Sequence, residues 1–485
     1  LAQQYFDYNH TLYPVVRRDW FDSYLELQFT SPDSPEIENP FWLFSMWMVF
    51  AIGAKTHSAV TSDAKLADDA EDFYENAQVY FPRVRPRHHV NNLLMLDSIL
   101  LEVSYGILKR IDCHVWYHLR IAIDLAIGLG MYGNPTQRIL LMPDEEQQYC
   151  KRLLWSLYAM DRVVSISLGR PLGIRDCDIE IDRFSVVDND REALAVQLHI
   201  ISLRQIAGEI WDRVYTTRYT HLPERERNKI VSQLGIALTY WRSRSRTSAS
   251  STVPHMSAAW HDLNLTTHQI LLHRPSPLTP ILTPKRVRYL GDRCAFAISL
   301  MDAMIGRQLY PLTSINLQTL FHTSFTLIYV IMTQPNPILG NPRRNIKALD
   351  RLETAGDLLD IFAEKFRSAI RARDMVQELA RRFRLSEAHS DEMGPGTTVF
   401  TPFPLYRGAS TGLHVPFRLE PTMAPWRDAM MQMMRAGHGL RVEGHTRKTW
   451  QPGKELFDTL YEDIHYRHKA NSRRIGTEDL RDAGE

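Results

Sequence analysis

The chain of 485 residues has few cysteines and no excess of charge of either sign. Its four cysteines, at positions 113, 150, 177 and 294, are too far apart for the short spacing that zinc ligation prefers. So few cysteines predict a reducing compartment without a disulfide framework. The 57 basic and 56 acidic residues nearly cancel, which argues against nucleic-acid binding by this chain alone, because phosphate contacts normally need a basic excess.

Motifs for catalysis and long membrane spans are also lacking. The sequence has no glycine-rich phosphate loop, no nucleophile elbow and no Cys-His pairing in a recognisable context, so enzyme functions are disfavoured. The longest apolar run, Phe41 to Ala54, is shorter than the roughly twenty residues that a membrane helix needs. We therefore predict a buried core helix there, and a soluble protein with no membrane partner.

What the sequence does contain is helical periodicity, because apolar residues recur three and four positions apart along most of the chain. Alternating strand patterns and Asn-Gly or Asp-Gly hairpin turns are scarce. We predict an all-α fold, a multi-helix array of packed helical hairpins that stack like a solenoid. Helices are predicted to begin near Ala2, Pro40, Lys65, Val90, Asp112, Asp144, Arg191, Glu224, Val253, Lys285, Pro311 and Arg343.

The domain organisation is predicted from changes in this periodicity. Residues 1–390 are predicted to form one helical region, in which the polar stretch from Trp241 to His255 is an exposed internal linker, assigned to residues 242–255. Residues 391–485 lose the periodicity and are predicted to be an irregular C-terminal region.

The most informative stretch is RLLWSLYAMDRVVSISLGRPLGIRDCDIEID, residues 152–182, where an Asp-Arg pair interrupts an apolar helix. The apolar stripe consists of Leu153, Leu157, Met160, Val164 and Leu168. Asp161 lies beside this stripe, where an ionised carboxylate is costly unless it is paired. The candidate partners are Arg162, Arg170 and Arg175; alternatively, Arg170 is simply solvated.

The same stretch carries signals for the end of the helix. Gly169 suits the C′ position, which requires a positive φ, and Pro171 prevents the helix from continuing. We therefore predict a helix whose exit turn is held by a buried Asp-Arg interaction.

Several other groups are weighed as functional sites and as ordinary structure. The acidic residues Asp176, Asp178, Glu180 and Asp182 suggest a cation site, but they lack the spacing of an EF-hand loop. His114 and His118 have the spacing of a two-histidine metal face, without the glutamate of a metalloprotease. We expect an extended segment in the first case and core or surface histidines in the second, so no metal ligand is assigned.

Four basic or methionine-rich segments are candidates for binding. The first is the basic knot from Arg83 to His89, which contains His88 and His89, and the second is RSRSR, residues 242–246. The helix Phe366–Arg384 could dock onto an acidic partner, and the methionines at 430–434 could form an adaptable surface. Solvated loops, a charged surface helix and ordinary burial explain these segments as well.

The Asp-Arg stretch resembles the regulatory domain of fungal-specific transcription factors, the middle homology region of zinc binuclear cluster proteins. The residues that carry the resemblance are Trp155, Tyr158, Met160, Asp161, Arg162, Ser165, Leu168, Gly169, Arg170, Pro171, Asp176, Asp178 and Ile179. Residues 5–21 and 261–277, and the segment around Cys294, resemble other parts of this domain in the same order. One departure is Asp182-Arg183-Phe184, where the family often continues toward a Leu-Pro pair.

The resemblance implies an effector-responsive regulatory domain of a nuclear regulator of RNA polymerase II transcription, formed by residues 1–390. Zinc and DNA binding would belong to an N-terminal cysteine cluster that this sequence does not contain. Co-regulators or the transcription machinery, a small-molecule effector and a second copy of the chain are the expected partners. An effector pocket is expected in the aromatic-rich residues 39–132. The alternatives are a cluster-less co-regulator and an enzyme that reuses the helical domain, with His114, His118 or Asp161 as its titratable groups.

Overall fold

A computed structural model describes residues 1–84, 92–133, 139, 141–186, 190–245, 247, 253–333 and 342–392. Within these residues the chain forms α-helices joined by turns and short 3-10 segments, and no strand occurs. The prediction of an all-α fold built from packed helices is therefore confirmed. The solenoid-like stacking stays a prediction, and residues 393–485, which include the methionines at 430–434, lie outside the described part.

The helices follow one another with short connections. In chain order they are α1 (Ala2–Gln4, continued by a π-helical turn Tyr5–Asn9), α2 (Arg18–Thr30), α3 (Pro40–Thr61), α4 (Ala64–Val84), α5 (Asn92–Lys109), α6 (Cys113–Gly128), α7 (Asp144–Ser167), α8 (Arg191–Val214), α9 (Glu224–Ser243), α10 (Ala258–His273), α11 (Pro284–Gly306), α12 (Ser314–Thr333), α13 (Pro342–Ala363) and α14 (Arg367–Glu392). Short 3-10 segments occupy Pro35–Glu38, Asp176–Asp178, Thr217–Tyr219 and Pro254–Met256.

Most predicted helix starts agree with these bounds, and the differences have local causes. Helix α2 was not predicted; among its residues Phe21 alone is buried, so its apolar stripe is weak. Helix α12 begins at Ser314 rather than Pro311, because the Thr313 hydroxyl accepts a hydrogen bond from the Asn316 amide at 3.3 Å, as an N-cap residue does.

The chain divides into two compact units. The first comprises Leu1–His273, Pro277–Thr279 and Ser299–Thr319, and the second comprises Arg274–Ser276, Pro280–Ile298 and the residues from Leu320 onward. In the first unit, α3 is buried along most of its length and packs against α4 and α5. Its start is fixed by Asn39, whose side chain accepts a hydrogen bond from the Phe41 amide at 2.9 Å. The apolar run Phe41–Ala54 thus lies in a core helix, as predicted.

One helix in the described part of the chain is long and apolar enough to cross a membrane by length and composition. It is Ser314–Met332, within α12, and 61% of this stretch is buried inside the protein. Burial of this extent is what the core helix of a folded protein shows.

The second unit contains a helical hairpin formed by α13 and α14. Arg384 of α14 binds Glu353 at 2.8 Å and also contacts Asp350 on α13. Arg373 binds Asp360 at 2.6 Å. The predicted basic helix Phe366–Arg384 is therefore a helix from Arg367, but several of its arginines are paired with acidic groups of the same hairpin, which weakens the case for an acidic partner.

Candidate functional site

The exit of α7 is a Schellman motif. Gly169 has φ of 65°, the left-handed conformation that glycine adopts without a Cβ penalty. The Arg170 amide donates to the Ser165 carbonyl at 2.8 Å, and the Gly169 amide donates to the Ile166 carbonyl at 3.3 Å. These two bonds satisfy carbonyls that the helix end would leave without a partner. The predicted role of Gly169 is thus observed, and Pro171 follows in the exposed turn.

Asp161 lies at the centre of this exit, and its side chain is fully buried. Its carboxylate accepts hydrogen bonds from the Gly173 amide at 3.0 Å, the Ile174 amide at 3.2 Å and the Ser165 hydroxyl at 3.0 Å. Arg162 Nη1 donates to Oδ2 at 3.0 Å. Burial raises the pKa of Asp161, and the guanidinium and the two amides act against this rise.

Arg162 links Asp161 to the acidic loop, the segment after α7 that contains Asp176, Asp178, Glu180 and Asp182. Its guanidinium is fully buried, lies 3.7 Å from the centre of the Tyr158 ring, and donates through Nη2 to Asp176 Oδ2 at 2.9 Å. The Tyr158 hydroxyl donates to the other oxygen of Asp176 at 2.5 Å. Two carboxylates therefore compensate one buried cation, and the loop after α7 is fastened back onto the helix.

The remaining residues of the Asp-Arg stretch, residues 152–182, lie around this network. Trp155 Nε1 donates to the Asp182 carbonyl at 3.2 Å, which holds the far end of the loop. Arg170 lies over the Trp116 ring at 5.3 Å, so it is neither the partner of Asp161 nor simply solvated. Arg175 pairs with Asp178 at 2.7 Å on the surface. Of the three arginines considered, Arg162 is the one that pairs with Asp161.

Gly173 is the tightest backbone position in this network. A Cβ atom there would lie 2.2 Å from Arg120 Nη1, 2.4 Å from Ile123 Cδ1 and 3.1 Å from Asp161 Oδ1. We expect Gly173→Ala to lower the free energy of unfolding by about 1–3 kcal/mol through overpacking. Urea denaturation checks this, with Gly128→Ala as the control, since a Cβ at Gly128 meets no atom within 4 Å. Equal stability of both variants would contradict the tight packing.

A groove of about 490 Å³ opens between α8 and α9, next to the acidic loop. Its lining residues are Asp176, His199, Ser202, Gln205, Ile206, Glu209, Ala237, Tyr240, Trp241 and Arg244. Asp176 belongs both to this wall and to the Arg162 network. The groove is outside residues 39–132, where the sequence placed an effector pocket.

A second buried polar cluster, which the sequence did not reveal, lies in the core of the first unit. Asp97 accepts a hydrogen bond from the Tyr149 hydroxyl, and burial raises the pKa of Asp97 to about 7, against the opposing effect of Tyr149, Arg17 and Arg152. Nearby, His10 binds Asp190 at 3.0 Å, and burial lowers the pKa of His10. The sequence signal was weak, because Asp97 and Tyr149 are far apart in the chain.

The other candidates from the sequence do not converge on one centre. His114 is exposed and His118 is half-buried on α6, and Asp176 and Asp178 are ion-paired to Arg162 and Arg175. Across the described ranges, no three His, Cys, Asp or Glu side chains are placed to hold a metal ion. Trp241 and His255, which bound the predicted linker, are buried, with 3% and 2% of their surface exposed. His88 and His89 lie outside the described residues.

The family comparison agrees with the resemblance that the Asp-Arg stretch carries. Residues 2–243 match the model of the fungal specific transcription factor domain. The chain belongs to this family. The matched region contains α1 to α9, and with them the Asp161 network and both helices of the groove.

Curated relatives of this chain are fungal regulators. The chain is 25% identical to Protein STB5 of Saccharomyces cerevisiae over 78% of its own length and 53% of that protein. It is 30% identical to the negative regulator of pleiotropic drug resistance STB5 of Candida glabrata over 44% of this chain and 22% of that protein. Similarity to the acetamidase regulatory protein of Aspergillus fumigatus is 25% over 73% of this chain and 45% of that protein.

The chain thus spans about half or less of the length of these relatives. No solved structure shows a significant match to it.

Proposed function

We propose that this chain is the regulatory, effector-responsive part of a fungal regulator of RNA polymerase II transcription that acts in the nucleus. The observation that carries the proposal is the family match over residues 2–243. The names of the relatives support it, since they describe transcriptional or resistance regulators rather than enzymes. In this proposal the helical units change the output of the regulator and catalyse no reaction.

DNA contact, in the same proposal, belongs to a zinc cluster outside this sequence. The four cysteines are too dispersed to form such a cluster, and the net charge of +1 provides no general attraction to phosphate. The helical units would then bind co-regulators or the transcription machinery, respond to a small-molecule effector, and pair with a second copy. A co-regulator that works through protein contacts alone is the second candidate, favoured by the same balanced charge.

A fusion experiment tests the proposal. The full chain is fused to a heterologous DNA-binding domain and expressed in yeast with a reporter under the matching sites. We expect reporter output to differ clearly from that of the DNA-binding domain alone at equal protein abundance, and Asp161→Ala to reduce that difference. A well-expressed nuclear fusion that neither activates nor represses would contradict a regulatory function.

A further inference from the structure

The two ends of the groove between α8 and α9 carry different residues because the two helices run antiparallel. His199 near the start of α8 binds the Ser245 hydroxyl at 2.9 Å just beyond the end of α9. Arg213 at the other end of α8 binds Gln233 at 3.1 Å. Arg244 therefore lies at one end of the groove, and Glu209 lies toward the other.

The middle of the groove is aromatic and apolar. The His199 ring stacks on Trp241 with ring centres 4.8 Å apart, and Trp241 is held by its Nε1 donating to the His199 carbonyl at 3.0 Å. Tyr240 is 60% exposed at the mouth, although it is a large ring. The small side chain of Ala237 and the apolar side chain of Ile206 also line the groove. A volume of about 490 Å³ with this lining suits a small organic molecule.

The acidic groups of the lining already have cationic partners. Asp176 is bound by Arg162 at 2.9 Å, and Glu209 is bound by Arg213 at 3.3 Å. Arg162 is shared with Asp161, so one negative charge remains beside Asp176, and it disfavours an anionic group at that end of the groove.

The basic groups at the groove have neutral partners instead. Arg244 Nη1 donates to the Tyr240 hydroxyl at 2.8 Å. Arg183 Nη1 donates to Ser202 at 3.1 Å, and its Nη2 donates to Gln205 at 2.5 Å, so it stands behind two lining residues. In the part of the chain that the structure describes, no carboxylate pairs with either guanidinium. Arg244 lines the groove, and Arg183, which also lies over the Trp155 ring, binds two lining residues from outside it. Positive charge at this end of the groove favours an anionic ligand.

We propose that this groove binds a small aromatic monoanion, a carboxylate or its equivalent, and that this is the effector site of the proposed regulator. The acid group binds Arg244, whose planar guanidinium offers several unused donors. The ring body lies against Tyr240, Ile206 and Ala237. Arg183 adds a second positive charge behind Ser202 and Gln205. The carboxylates of Asp176 and Glu209 select against dianions and keep the far end of the ligand neutral.

Three probes with one ring system test the charge. Calorimetric titration of the full chain with 2-naphthoate, 2-naphthamide and 2-naphthylmethylamine compares an anion, a neutral molecule and a cation. We expect binding in the order naphthoate, naphthamide, naphthylmethylamine. Absence of naphthoate binding at millimolar concentration, or tighter binding of the amine, would overturn the proposal.

Variants test the location. We expect Arg244→Gln to weaken naphthoate about tenfold, the loss of one charge-assisted hydrogen bond, and to change naphthamide affinity little. Ala237→Leu should abolish binding of both by filling the groove. Arg218→Gln is the matched control, since Arg218 is exposed and pairs with Asp212 instead of facing the groove. Unchanged naphthoate affinity in Arg244→Gln or in Ala237→Leu, with normal melting temperature, would remove the site.

The groove is an effector site only if the proposed regulatory function holds. Ligand binding by the groove and regulation by the chain can therefore fail separately. A fusion that still regulates the reporter while the chain binds no naphthoate would remove the groove as a site and leave the regulatory function standing. Binding that follows the expected order in a chain without reporter output would contradict the regulatory function and retain the site.

Discussion

Replacement of Asp161 by alanine is expected to lower the free energy of unfolding by roughly 3–5 kcal/mol, the cost of removing one partner of a buried ion pair. The substitution leaves the fully buried Arg162 guanidinium with Asp176 as its remaining carboxylate partner. It also removes the acceptor of the Gly173 and Ile174 amides, and a buried amide without an acceptor is itself costly.

Urea denaturation of the full chain, followed by tryptophan fluorescence, measures this loss. Asp178→Ala is the matched control in the same stretch, because Asp178 forms an exposed pair with Arg175, and such pairs contribute little to stability. Asp161→Asn separates charge from hydrogen bonding, since the amide oxygen can still accept from Gly173. A small loss for Asp161→Ala, similar to that of the control, would contradict a structural role and would revive the reading of Asp161 as a catalytic group.

The ends of helices were predictable from the sequence because their signals are local. Asp112 caps α6 by accepting from the His114 and Val115 amides at 2.9 and 3.2 Å, as its position before the apolar stripe indicated. Gly169 ends α7 because it adopts a positive φ, which depends on this single residue. Signals of this kind depend on a few neighbouring residues and not on tertiary packing.

The sequence limited the candidate partners of Asp161 to three arginines but did not show which of them forms the pair. Arg162, Arg170 and Arg175 are all near in sequence, and the choice depends on how the loop after Pro171 turns back. Once Asp176 returns to Arg162, that guanidinium is held between two carboxylates, while Arg175 is left to pair with Asp178 outside. Loop closure of this kind has no periodic signal, so the acidic residues also resembled a cation site.

The groove could not be predicted because it is made by tertiary pairing. Its two walls come from α8 and α9. The many aromatic residues in 39–132, which suggested an effector pocket, instead pack largely in the core, as the fully buried Trp42 and Phe44 do. Apolar composition indicates burial but does not distinguish a filled core from an open cavity. Which side chains bind Arg183 and Arg244 likewise depends on which helices pack together.

Stability is expected to depend on pH through Asp97. The folded chain holds the proton of Asp97 up to about pH 7, whereas an unfolded chain releases it near the ordinary value of 3.8. The folded state therefore binds more protons between these values, so this contribution is fully present below about pH 4 and is lost as the pH rises toward 7, by up to roughly 1.4 kcal/mol per pH unit. His10 acts in the opposite direction, because burial lowers its pKa and its protonation below about pH 6.5 disfavours folding.

Asp97→Asn isolates the carboxyl from His10, since the amide can still accept the Tyr149 hydrogen bond and cannot ionise. Melting temperatures of wild type and Asp97→Asn are compared from pH 5 to pH 8, with Asp33→Asn, at an exposed position, as the control. We expect the stability of Asp97→Asn relative to wild type to increase as the pH rises, because only the wild type must then either ionise a buried carboxyl or keep it protonated at increasing cost. A difference that is constant over this range, like that expected of the control, would show that Asp97 is already ionised in the folded core and that Arg17 and Arg152 outweigh its burial.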